Sequence, residues 1–166
     1  MSHAALNVLF LCTRNSARSI LAEATLNHIG GSRFKGFSAG SSPRENQQPH
    51  PIGLETLRNA GFATDGLRSK SWDEFALADA PHMDLIITVC DNAAGEVCPY
   101  WPGKPATAHW GYADPSAGDG TDAEKAEAFK NTLHAIRRRL DLLVNLPADK
   151  LEAMVIQQTA KELANE

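Results

Sequence analysis

The chain has 166 residues, 43% hydrophobic and 22% charged, with a formal net charge of -4. That balance suits one globular domain with a real core and excludes a disordered chain, and the mild acidity argues against nucleic acid as the main partner. No apolar run reaches membrane-spanning length and the first residues lack the pattern of a secretion signal, so no membrane association and a cytoplasmic location are expected.

In chain order, the first predicted element is NVLFLC, Asn7 to Cys12. It lacks the alternation of a half-exposed strand and reads as a strand buried on both faces. A polar turn leads into RSILAEATLNHIG, whose apolar residues recur at helical spacing as far as Gly30. FKGFSAG predicts a second short strand turning at Gly40. Pro51 can open the next helix, PIGLETLRNAG, and Gly61 can close it.

DLIITVC, Asp84 to Cys90, is another continuous apolar strand, followed by the Gly- and Pro-bearing loop DNAAGEVCPYWPGKP. A short strand near Ala106 to Trp110 and an Asp114-Pro115 loop come next. Thr121 and Glu124 form a capping box for a helix that places Phe129, Leu133, Ile136, Leu140 and Leu143 on one stripe. The Arg137-Arg138-Arg139 run reads as the solvated face of that helix. Pro147 ends it, and the remaining residues read as one more helix with Leu151, Met154, Val155 and Leu163 roughly on one side. Strands alternating with helices, without repeat or linker, predict a single doubly wound α/β domain.

The turn from Cys12 to Arg18 then lies at the carboxyl end of the sheet, where open α/β sheets place their ligand crevices. Its backbone N–H groups and the following helix N-terminus favour an anion. Arg18 adds a fork of donors matched to two oxygens of a tetraoxyanion. A cysteine held in this field is expected to be nucleophilic at neutral pH. The plain alternative is a small buried residue ending a strand, and a bare Cys-x5-Arg match would not exclude it. The strand before, the helix after, and Asn15, Ser16 and Ser19 as loop-shaping groups favour the functional reading. Thr13, Arg14, Asn15, Ser16, Ala17, Arg18 and Ser19 are the candidate oxyanion-binding residues.

Cys12, Cys90 and Cys98 are the whole cysteine complement, with no small-domain disulfide pattern. No pair has short ligand spacing, so neither a metal nor another cofactor is expected. Cys90 ends the strand expected beside the first; strands ~4.8 Å apart bring Cys12 and Cys90 within reach of a disulfide after modest loop movement.

The segment VLFLCTRNSARSILAEA resembles the active-site loop of the low-molecular-weight protein tyrosine phosphatase fold, and more narrowly of the arsenate reductases built on it. SAGS at Ser38 to Ser41, DLIITVCDNAAGEVCP and HWGYADPS at His109 to Ser116 match further segments in order, from about Ala5 to Val144. The resemblance implies a four-stranded parallel sheet flanked by helices, with a catalytic domain over 1–145 and an extra helical extension over 146–166. It also implies Cys12 as nucleophile, Arg18 as oxyanion clamp and Asp114 as the acid that protonates the leaving oxygen. An isolated Asp-Pro would read as a turn; its place after HWGYA favours the acid.

For a reductase the resemblance implies a relay in which Cys90 resolves the Cys12–arsenic adduct and Cys98 accepts the oxidation as a disulfide. Thioredoxin, or glutaredoxin with glutathione, would then reduce that disulfide. The spacing permits this relay without singling it out. A phosphatase acting through a Cys12 phosphoenzyme is the alternative, with Cys90 and Cys98 as bystanders. A non-catalytic oxyanion sensor is disfavoured, because it needs no leaving-group acid. Ile20 and Ser116 stand where the tyrosine phosphatases usually place a proline and an aromatic, which disfavours the phosphotyrosine reading. Some relatives bind potassium beside the loop; Asn15, Glu23 and Ser38 match in type, and the Lys70 ammonium is expected to replace the ion.

Overall fold

The computed structural model describes residues 5–75, 77, 79–90, 106–117 and 119–146. The expected C-terminal helix and the loop after Cys90, with Cys98, lie outside them. Seven principal elements run in the order β1 (Leu6–Cys12), α1 (Arg18–Ile29), β2 (Phe34–Gly40), α2 (Pro51–Asn59), β3 (Leu85–Thr88), β4 (Ala106–His109) and α3 (Asp122–Val144). A short 3-10 turn, Trp72–Phe75, sits between α2 and β3.

All three strand pairings are parallel and the sheet order is β2-β1-β3-β4. The chain therefore builds outward from β1 on one side, then returns across it to build the other. The β1–β3 boundary is where strand order reverses, and the carboxyl ends of those strands open the crevice that such sheets use for ligands. β1 explains why its sequence shows no alternation. Val8, Phe10 and Cys12 join the larger core on the α1 and α3 side, whereas Leu9 and Leu11 join a smaller one with Ala39, Met83 and Ile86. Both faces are covered, so every position has reason to be apolar.

The expected helix signals hold. His50 caps α2 with its ring nitrogen, and Pro51 begins the helix. Thr121 and Glu124 form the reciprocal capping box of α3. The stripe from Phe129 to Leu143 is buried throughout. The arginine run departs from expectation. Arg137 and Arg138 are exposed, but Arg139 is half-buried against Trp110 and Tyr112. The helical period places it beside the buried stripe, and its planar head can leave water over aromatic faces as an ammonium could not.

Candidate active site

Cys12 is the last residue of β1 and is 3% exposed. The chain must reverse at once to enter α1, and Asn15 makes this turn with a left-handed φ of 56°, a conformation that asparagine tolerates better than most residues. The turn points the Asn15 amide inward. The Asn15 N–H donates to Cys12 Sγ at 3.1 Å, and the Ser19 hydroxyl lies 3.1 Å from the same sulfur. Asn15 Nδ2 donates to Ser19 Oγ at 2.8 Å. Asn15 and Ser19 are fully buried and shape the turn from behind, while Thr13, Arg14, Ser16 and Ala17 line its open side.

That side is a pocket of about 360 Å³ with the Cys12–Arg18 turn as its floor and Asp114 at its rim. α1 begins at Arg18 with no side-chain cap at Ala17 and no acidic residue in its first turn, so the positive end of its dipole faces the pocket uncompensated. Arg18 is 6% exposed, and its Nη1 donates to the Tyr112 carbonyl at 2.9 Å. Arg14, exposed at the mouth, donates to the Ser42 carbonyl. Asp114 Oδ1 accepts from the Ser116 amide at 2.9 Å and hydroxyl at 2.7 Å. Turn former and pocket carboxyl are thus the same residue in one geometry.

Three segments hold the turn from outside. Ser41 and Ser42 amides donate to the carbonyls of Cys12 and Thr13 at 3.1 and 2.8 Å. Ser69 Oγ donates to the Asn15 carbonyl at 2.6 Å, and the His50 amide to that of Ser16 at 2.9 Å. Gly40 is required where it stands: a Cβ there would lie 2.6 Å from the Thr13 carbonyl oxygen. Tyr112, Ser69 and His50 act here through carbonyls, amides or a short hydroxyl, and the sequence carried no signal for them.

Behind Asn15 sits a buried cation. Lys70 Nζ lies 3.4 Å from Asn15 Oδ1, 2.9 Å from the Ser38 carbonyl, 2.8 Å from the Arg68 carbonyl and 3.8 Å from Glu23 Oε1. Glu23 accepts from the Ser38 hydroxyl as well. Burial pushes the Glu23 carboxyl up and the Lys70 ammonium down, and each partly offsets the other's shift. A potassium ion does not fit these residues, because the ammonium already occupies the centre of the oxygens that would ligate it. Among the described residues no cluster of His, Cys, Asp and Glu could hold a metal ion.

Cys90 follows β3, the strand paired to β1, and is fully buried. It is disulfide-bonded, whereas Cys12 carries a free thiol. Cys98 lies outside the described residues.

A free thiol thus ends β1, and the turn that follows leads to an arginine at the head of α1. The model of the low molecular weight phosphotyrosine protein phosphatase family matches residues 7–160. The chain belongs to that family. Within the family it is 33% identical to an arsenate reductase of Halalkalibacterium halodurans over 80% of this chain and 91% of that one. The crystal structure of an arsenate reductase from Archaeoglobus fulgidus superposes with a TM-score of 0.67 and 29% identity, covering 84% of this chain and 99% of that one. A thioredoxin-dependent arsenate reductase of Corynebacterium glutamicum superposes with a TM-score of 0.53 and 28% identity, over 86% of this chain and 65% of that one. The four-stranded parallel sheet expected of this family is present. No helix among the described residues is long and apolar enough to cross a membrane.

Proposed function

We propose that this chain is an arsenate reductase acting by a thiol relay. The observation that carries the reading is the pairing of two cysteines at neighbouring strand ends: Cys12, free in an oxyanion turn, and Cys90, disulfide-bonded after β3. Arsenate enters the pocket, where loop amides, the α1 N-terminus and Arg18 hold its oxygens. The Cys12 thiolate attacks arsenic, and Asp114 gives a proton to the departing hydroxyl so that water leaves. The Cys90 thiolate then attacks Cys12 Sγ. The arsenic–sulfur bond breaks with its electron pair left on arsenic, which departs as arsenite, and a Cys12–Cys90 disulfide forms. Cys98 attacks Cys90 and frees Cys12, leaving a Cys90–Cys98 disulfide for an external dithiol.

A disulfide on Cys90 beside a free Cys12 supports this order, because it is the state in which the relay ends. The arsenate reductase names of the relatives support it also. The donor is thioredoxin, supported by the thioredoxin-dependent neighbour; glutaredoxin with glutathione is the other thiol system that reduces such disulfides. The enzyme works in the cytoplasm on arsenate, for arsenic detoxification. A phosphatase activity through a Cys12 phosphoenzyme is the second reading, supported by the family itself and by a turn that holds phosphate as readily as arsenate.

Replacing Cys90 or Cys98 with Ser separates the two. Under the relay, Cys90→Ser and Cys98→Ser proteins release one arsenite per enzyme or fewer, measured by rapid quench. Repeated turnover by Cys90→Ser would remove the relay.

A further inference from the structure

Arg139 lies on α3, remote in sequence from every group of the mechanism, yet its head reaches the segment that completes the pocket. Its guanidinium carbon is 5.0 Å from the centre of the Tyr112 ring and 5.9 Å from that of Trp110. Both distances fall within the range of attraction between a cation and an aromatic face. Trp110 is fully buried and Tyr112 nearly so. Arg139 Nη1 and the Tyr112 hydroxyl are both buried, and the guanidinium partly offsets the rise that burial gives the Tyr112 pKa. The guanidinium is held over the ring faces and beside that hydroxyl, and its desolvation strengthens the hold.

The rings belong to the stretch that serves the site. The Tyr112 carbonyl receives Arg18 Nη1 at 2.9 Å, and Asp114 follows two residues later at the pocket rim. The Trp110 amide ties the start of the stretch to β3 through the Thr88 carbonyl at 2.8 Å. Beyond Trp110 the backbone leaves the sheet, where the hydrogen bond from Arg18 and the packing of its own side chains hold it.

We propose that Arg139 is a positioning residue: by stacking on Trp110 and Tyr112 it fixes the Tyr112 carbonyl under Arg18 and the approach of Asp114 to the pocket. Small displacements of such groups cost far more in rate than in stability, because orientation of the reacting atoms is what the pocket provides. The proposal rests on the roles given above to Cys12, Arg18 and Asp114.

The test uses Arg139→Met, which keeps an apolar stem, and Arg139→Lys, which keeps the charge without the plane. Affinity for inorganic phosphate is read from its protection of Cys12 against iodoacetamide, and turnover from arsenite release. With far-UV spectrum and cooperative unfolding retained, Arg139→Met should bind phosphate about 5-fold more weakly and lose about 10-fold in kcat/KM, with Arg139→Lys between it and the native protein. Native phosphate affinity and turnover in the folded variants would overturn the proposal, as would activity lost only in proportion to unfolded protein. If Arg139→Met does not fold, Arg139→Lys decides by the same criteria. Failure of the native protein to make arsenite would sink the reductase reading and leave the phosphate comparison intact.

Discussion

Lys70 buries an ammonium among oxygens beside the Cys12 turn. Its ammonium lies within 3.8 Å of oxygens from Asn15, Ser38, Arg68 and Glu23, and Asn15 in turn donates to the Cys12 sulfur. Lys70→Met would leave Glu23 buried without its partner, at a cost of up to about 3–5 kcal/mol, lessened because burial already favours the protonated carboxyl. The double variant Lys70→Met/Glu23→Gln removes both charges. It should recover most of that stability while turnover stays about 3-fold low, since Asn15 Oδ1 keeps the Lys70 amide at 2.9 Å but loses the ammonium at 3.4 Å. Steady-state rates in sodium and in potassium buffers should agree for the native protein. A steep rise with potassium would contradict this account. At this scale the gathering of Cys12, Arg18 and Asp114 around one pocket was legible, because they lie in local motifs. The carbonyl of Tyr112 and the ring stack of Arg139 were not, since a backbone oxygen has no letter and a contact between α3 and the β4 exit depends on packing.

Elements were readable where a local rule sufficed. The Thr121–Glu124 box, Pro51 at the first position of α2 and the unalternating β1 each have a physical cause within a few residues. His50 shows where the reading stopped. It caps α2 by accepting from the Ile52 amide at 3.2 Å, and its own amide holds the Ser16 carbonyl of the Cys12–Arg18 turn. Histidine is not a residue one assigns to a cap from sequence. Burial, then the Lys125 charge, lowers its pKa below the ordinary 6.5, against Asp114 and Asp122. A lowered folded pKa gives stability that is present above 6.5 and lost as pH falls through the folded value. Protonation would also abolish the acceptor that makes the cap. His50→Asn keeps an acceptor without the charge. Urea unfolding between about pH 7.5 and about pH 5 should show the native protein losing more stability than His50→Asn. Parallel curves would show that His50 does not titrate in this way.

The whole molecule joins these parts through one topological fact. The sheet order β2-β1-β3-β4 puts β1 beside β3, so Cys12 and Cys90 leave adjacent strands at the same end. Two buried-strand patterns in the sequence were enough to expect a parallel sheet with these two strands side by side, and the β1–β3 pairing is as expected. The central claim is that this neighbourhood moves two electrons from a dithiol donor to arsenate. The most direct measurement follows arsenite release by the purified protein with arsenate, thioredoxin, thioredoxin reductase and NADPH. The account predicts sustained arsenite release matched mole for mole by NADPH oxidation and abolished in Cys12→Ser. No arsenite with this donor or with glutaredoxin and glutathione, alongside aryl phosphate hydrolysis that depends on Cys12, would contradict it.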